Sequence, residues 1–227
     1  MIRANLVPLV LVLLGILAPT ARAQYPDLNP KLQKGKIAIG SAMVFPPEIE
    51  FTKLGMKGPE GMTPEADKLA ETLYSALSQE LSLRGVKLLL NPGEPKSDVE
   101  KYALANLQAK FDTVHLQLGL RPGGVERGRY SLGDGVSTFV PAKGADGLVF
   151  LRGKAIQATP AKAAISGYRG WPHFSADVTF IDAKTGEVLA WAPLHRWGDM
   201  TKDQDARLAQ TIRSSLRDIP LPVKAPK

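Results

Sequence analysis

The 227-residue chain carries 29 Lys and Arg against 22 Asp and Glu, a formal charge of +7, and no Cys at all. The missing cysteines exclude disulfides, thiolate catalysis, Cys-ligated metals and a bacterial lipid anchor on Cys, so the hydrophobic core must hold the fold unaided. The basic residues are scattered rather than gathered into a dense run, which fits ordinary solubility and admits at most peripheral contact with an anionic membrane surface.

Residues 1–23 read as a cleavable secretory signal. Arg3 supplies a positive n-region, Leu6 to Leu17 an apolar h-region, and Ala21-Arg22-Ala23 places small residues before a cut between Ala23 and Gln24. The apolar run falls short of the roughly 20 residues a bilayer span needs. Cleavage removes Arg3 and Arg22 and no acid, leaving 204 residues with 27 basic and 22 acidic side chains, net +5. That length suits one domain, expected over residues 36–222, between an extended leader at 24–35 and a tail at 223–227.

In chain order, "GKIAIGSAMVF" predicts a buried strand over Lys36 to Val44, stopped by Pro46 and Pro47. Pro46 to Met62 then reads as an irregular insertion, because its prolines and glycines oppose regular structure. Thr63 with Pro64 starts a helix whose apolar stripe, Ala66, Leu69, Leu73, Leu77 and Leu81, lasts until Gly85, a residue suited to a left-handed C-cap. Val86 to Leu90 is a second short strand. Ser97 and Glu100 make a capping box for a helix carrying Tyr102, Leu104, Leu107 and Phe111 towards Leu118.

"RPGGVERGR" breaks the chain before a short helix expected around Leu132 to Val140. Its Arg121, Arg127 and Arg129 form a local basic cluster, but only Tyr130 could stack on a base, so no nucleic-acid partner is expected. Asp146 to Ile156 is an apolar run of the kind a central strand shows when both faces are covered. "TPAKAAISGYRGWP" reads as a mobile loop. Phe174, Ala176, Val178 and Phe180 alternate with polar residues as in a half-buried strand, "DAKTG" turns the chain at Gly186, and "EVLAWAPLH" returns antiparallel. Thr201 and Gln204 form a further capping box before a last helix with Leu208, Ala209, Ile212 and Leu216 on one face, ended by Pro220 and Pro222.

The expected fold class is therefore α/β, a single mixed sheet of about five strands backed by three or four helices in the order β-α-β-α-(α)-β-β-β-α. The short first strand, "SLRGVKLLL", "GADGLVFLRGKA", "VTFIDAKTGEVLAWA" and a final helix ending in "DIPLP" resemble the exported α/β domain superfamily that includes the TolB amino-terminal domain, the curli-secretion channel lipoprotein and related small envelope lipoproteins. The likeness spans roughly Lys36 to Pro222. It implies a noncatalytic module, periplasmic or outer-membrane-associated, that binds a protein partner or serves in assembly and takes no cofactor. The chain departs from that pattern in lacking the lipidated Cys and in carrying the Pro46 to Met62 insertion.

Signals for chemistry are sparse. There is no G-x-S-x-G, Ser166 lies outside any strand-to-helix elbow, and the glycine-rich stretches match no phosphate loop. His115, His173 and His195 are far apart; His173, His195 and Asp199 make a conceivable metal set, with a strand-end role for the two histidines preferred, and no metal is expected. Five aromatics near the hairpin, Tyr168, Trp171, Phe174, Trp191 and Trp197, read as core packing or as an exposed partner surface. Glu48 and Glu50 are two residues apart, so an extended backbone points both to one side and Ile49 and Phe51 to the other.

The candidate site for partner binding is Glu48, Glu50, Phe51, Lys53, Leu54, Met56 and Lys57, where mixed charge and a flexible Met suit adaptable contact. The same residues could instead fold back to cover a sheet edge. The competing reading is a hydrolase or metal-dependent enzyme using loop residues at the carboxyl ends of the strands. It requires Glu48 or Glu50 to converge with His173, His195 or Asp199 in one pocket.

Overall fold

The computed structural model describes residues 25–89, 97–133, 136, 144–166, 173–197 and 204–222. Among them, eight strands form one mixed sheet: β1 (Asp27–Leu28), β2 (Ser41–Val44), β3 (Glu48–Gly55), β4 (Gly58–Gly61), β5 (Lys87–Leu89), β6 (Gly147–Ala158), β7 (His173–Asp182) and β8 (Val188–Trp197). The helices are α1 (Pro30–Gln33), α2 (Thr63–Leu83), α3 (Asp98–Leu120), α4 (Pro160–Ser166) and α5 (Gln204–Leu216), with a 3-10 turn at Pro122–Arg127. The five expected strands are present. The three extra ones are β1, from the leader, and β3 and β4, from the insertion.

β6 is the central strand, as its apolar run predicts. β7 pairs with one side of it antiparallel, and β2 and β3 share the other side, both parallel to it. β5 lies parallel to β2, as alternation of strand and helix requires. The edge order on the far side is β7, β8 and then β1, whose Asp27 and Leu28 pair with Trp191 and Ala190.

The first strand is shorter than expected. Pairing with Lys87 and Gly147 begins only at Ser41 and Ala42, and Ser41 is pinned by Asp146, whose carboxylate accepts its N–H at 2.9 Å and its hydroxyl at 2.8 Å. Pro46 and Pro47 do stop it, but only for one bulge. Val44 pairs with Val149 and Glu48 with Arg152, so Phe45, Pro46 and Pro47 face just Phe150 and Leu151. One extra residue, on a stretch where two prolines have no N–H to offer the ladder, bends the strand without ending it.

Two cores result. Above one face, α2 and α5 bury Phe51, Leu69, Leu73, Leu77, Val149, Leu151, Phe174, Val178, Phe180, Leu194, Leu208 and Ile212. Below the other, α3 covers Met43, Phe45, Leu148, Phe150 and Ile181 with Leu107, Phe111, Val114 and Leu118. Helix α2 starts one residue earlier than its sequence signal implies: Met62 is the cap, without a side-chain bond, and Thr63 and Pro64 fill the first turn. At the other end Gly85 takes φ 85°, the left-handed cap its position calls for. The Ser97 cap of α3 accepts the Glu100 N–H at 3.2 Å. The Thr201 box and most of the expected helix at Leu132 to Val140 lie outside the described residues.

A buried ion pair ties α2 to α5. Glu80, 7% exposed, accepts from Arg84 Nε at 2.8 Å and Arg213 Nε at 3.3 Å, while Arg84 Nη1 donates to the Leu216 carbonyl at 2.6 Å. The arrangement satisfies a carbonyl of the last turn of α5, which has no partner within its own helix. Glu80→Ala takes the carboxylate from Arg84 but leaves its bond to the Leu216 carbonyl, and Arg213 stays in water, so the expected cost is about 2–3 kcal/mol, at or below the bottom of the range for broken buried pairs. Chemical denaturation measures it; a loss within error would show that water replaces the carboxylate.

Candidate functional site

The insertion is a β-hairpin. β3 pairs with β4 from Thr52↔Gly61 to Gly55↔Gly58, leaving a two-residue turn at Met56 and Lys57 with Gly58 at φ 119°. Along its other side β3 follows β6 from Glu48↔Arg152 to Leu54↔Ala158. The expectation of irregular structure is therefore overturned: Pro46 and Pro47 sit in the bulge, Gly55 and Gly58 flank the turn, and Pro59 occupies an edge strand, where a missing donor costs least.

Residue parity decides which side chains are free. Glu48 and Glu50 point to one face, as expected, and Ile49 and Phe51 to the other, where α2 covers them. Phe51 is only 6% exposed, so its assignment to a partner surface is corrected: it belongs to the core between sheet and α2. Lys53 is exposed opposite Glu60, an oppositely charged cross-strand pair. Leu54 is half-buried, and its carbonyl accepts the Thr159 N–H that leads into α4. Met56, 57% exposed, and Lys57 form the tip. Ala23 and Gln24 lie outside the described residues.

The two carboxylates are engaged. Glu50 pairs with Lys154 at 3.0 Å on the open surface. Glu48 Oε2 accepts from Arg152 Nη2 at 2.7 Å, and Arg152 also pairs through Nη1 with Asp112 of α3 and lies over the Phe111 ring, 4.7 Å from its centroid. One guanidinium thus joins hairpin, central strand and helix, with both acids placed to neutralise it. Beside it in the sheet, Asp177 accepts the Thr179 hydroxyl at 3.2 Å and meets His115 Nε2 at 2.8 Å, so that β7 as well as β6 is tied to α3. Arg152, Asp112, His115 and Asp177 were not sequence candidates. The available signal was Arg152 itself, a charge inside an apolar central strand, which demands a partner.

Convergence of the carboxylates with the histidines is absent. Glu50, Lys154, Ser175 and His195 occupy one row across β3, β6, β7 and β8, so Glu50 and His195 stand three strand spacings apart, about 14 Å. His195 Nδ1 lies 3.1 Å from the Ser175 hydroxyl and sits within a paired strand rather than fraying from its end; His173 does open β7. Asp199 is outside the described residues, among which no three His, Asp or Glu are grouped to hold a metal ion. The segment expected as a mobile loop begins with α4, Pro160–Ser166, and residues 167–172 are not described.

Of the aromatics near the hairpin, Phe174 is buried in the first core and Trp191 is half-buried against the second, so both pack. A depression of about 390 Å³ lies at the β8 edge, between Tyr25, Pro193, His195 and the residues Gln210, Thr211, Ser214, Arg217 and Asp218. It is shallow and polar. No helix among the described residues is long and apolar enough to cross a membrane.

No protein-family model and no curated protein matches the sequence. Among solved structures the chain is similar to the lipoprotein GNA1162 from Neisseria meningitidis, at 12% identity over 79% of this chain and 96% of that one, with a TM-score of 0.37. It is similar to the PelC dodecamer from Paraburkholderia phytofirmans at 13% identity over 88% and 96%, TM-score 0.37. The LpoB C-terminal domain from Salmonella enterica overlaps at 16% identity over 75% and 96%, TM-score 0.27.

Proposed function

We propose that the chain is a noncatalytic exported module of the cell envelope, periplasmic or at the outer membrane, that engages a protein partner through the tip of its β3–β4 hairpin. The observation carrying this reading is the contrast along the hairpin: Phe51 is anchored in the core while Met56 and Lys57 project from a rigid, doubly paired base. Because β3 is paired on both sides, binding has to order the two tip side chains and not the backbone that carries them, and the unbranched Met adapts to a partner surface. Glu48 and Glu50 supply the base with paired charges rather than acid–base chemistry. Export rests on the signal sequence, and no cofactor is invoked.

The test is a cross-linking pulldown from the native envelope with the mature chain and with the double variant Met56→Ser, Lys57→Glu. This leaves Phe51 and every strand pair in place, unlike removal of the whole hairpin, which would bare β6. Partner recovery is expected to fall at least tenfold, as for loss of a central contact residue, with an unchanged thermal midpoint. An identical partner profile would sink the reading.

A further inference from the structure

Helix α3 has a buried apolar stripe and, on nearly the opposite side, an exposed row that is apolar at both ends and small at its centre. The inner one, Leu107, Phe111, Val114 and Leu118, is buried in the second core. The outer one runs Val99, Tyr102, Asn106, Ala109, Thr113, Leu116, Leu120, alternating steps of three and four over three heptads. Val99, Tyr102, Leu116 and Leu120 are 79, 75, 66 and 73% exposed, more than half of the large exposed apolar side chains among the described residues. An a/d repeat of this kind is the seam of a helix pair. A lone surface helix has no use for it.

We propose that two copies of the chain associate through this face, with the two α3 helices antiparallel across a two-fold axis near Ala109. Three observations favour a second copy in that orientation. The seam is large at both ends and small in the middle, so turning it end over end lays Val99 and Tyr102 on Leu116 and Leu120 of the other copy and brings the small centres together. The Thr113 hydroxyl already donates to the Ala109 carbonyl at 3.2 Å, which leaves its methyl for the seam, and the antiparallel pairing sets the Asn106 amide opposite the other copy's Thr113 rather than against a large apolar side chain. Charge agrees as well: Asp98, fully exposed and 3.6 Å from Lys101 of its own helix, comes beside the other copy's exposed Arg121, where a parallel pair would set the two Asp98 carboxylates together.

The size is adequate but modest. A 23-residue helix offers a seam of about 34 Å, and two such seams bury on the order of 1,200 Å², the lower end of specific interfaces. The dimer is therefore weak and concentration-dependent, and it leaves the β3–β4 hairpin tip, which lies off the seam, open in each copy.

Sedimentation velocity of the mature chain from low micromolar to near-millimolar concentration is expected to show monomer passing to dimer. Leu116→Glu, on an exposed position with folding checked by circular dichroism, should weaken the dimer at least tenfold. Arg121→Glu should weaken it less, and combining it with Asp98→Arg should restore it. Because the chain has no Cys, Ala109→Cys should form a cross-linked dimer on mild oxidation while Tyr102→Cys does not. A monomer throughout, a larger ring, a dimer indifferent to Leu116→Glu, or efficient Tyr102→Cys cross-linking would each overturn the proposal.

Discussion

Phe111→Ala is expected to destabilise the protein by about 3–5 kcal/mol, the range for emptying a fully buried aromatic site. Phe111 is 0% exposed and stacks on Phe150 at 4.1 Å between centroids, with Phe45 stacked on the far side of Phe150 at 4.4 Å. Its other face receives Arg152. Losing the ring opens a cavity in the second core and removes one support of the cation that holds hairpin to helix. Urea denaturation should show a lower midpoint at unchanged slope. Phe111→Leu should recover more than half of the loss, since Leu refills volume but offers no π face. A loss below about 1 kcal/mol for the alanine variant would mean that the core collapses around the gap.

Gly153→Val should also be damaging, somewhat less so and for the opposite reason. Gly153 faces Ala176 across β6 and β7, and a Cβ there would fall 2.4 Å from the Ala176 Cβ and 3.0 Å from the Ser175 carbonyl oxygen. Neither neighbour can swing away, one being a methyl on a buried strand and the other backbone. Overpacking is expected to cost about 2–3 kcal/mol, with Gly153→Ala less harmful. Adding Ala176→Gly to Gly153→Ala should return much of the stability, because it removes the nearer of the two clashes. Absence of that rescue, measured by thermal or chemical denaturation, would move the cause from this contact to strand propensity.

Much of the architecture is legible in local patterns. The stripe and caps of α2, the apolar run of β6, and the β7–β8 turn each declare themselves within a few residues. In that turn Asp182 Oδ1 accepts the N–H groups of Lys184 and Thr185, both at 2.8 Å, and Gly186 takes φ 70°. What escapes is non-local. β1 is two residues long and exists only because β8 is there to pair with it. β3 and β4 escape because Pro46, Pro47, Gly55, Gly58 and Pro59 look like breakers until their places in a bulge, a turn and an edge are known.

The candidate site follows the same division. Parity already separates Glu48 and Glu50 from Phe51, but nothing local says that α2 covers the Phe51 side. Met56 and Lys57 emerge as the projecting pair only once the turn is placed at them, between Gly55 and Gly58. The Arg152 junction needs partners from β3 and α3, far apart in sequence, and no spacing rule brings them together.

The depression at the β8 edge has a topological consequence. Tyr25 and Asp218, close to the two limits of the described chain, border the same small hollow. The fold is thus almost a closed circuit in space, and a short peptide joining those positions would span little distance. A circularly permuted chain with new ends between Met56 and Lys57 keeps every pairing in the sheet, yet divides the tip in two. Scaffold and contact become separable by rewiring alone, with no side chain changed.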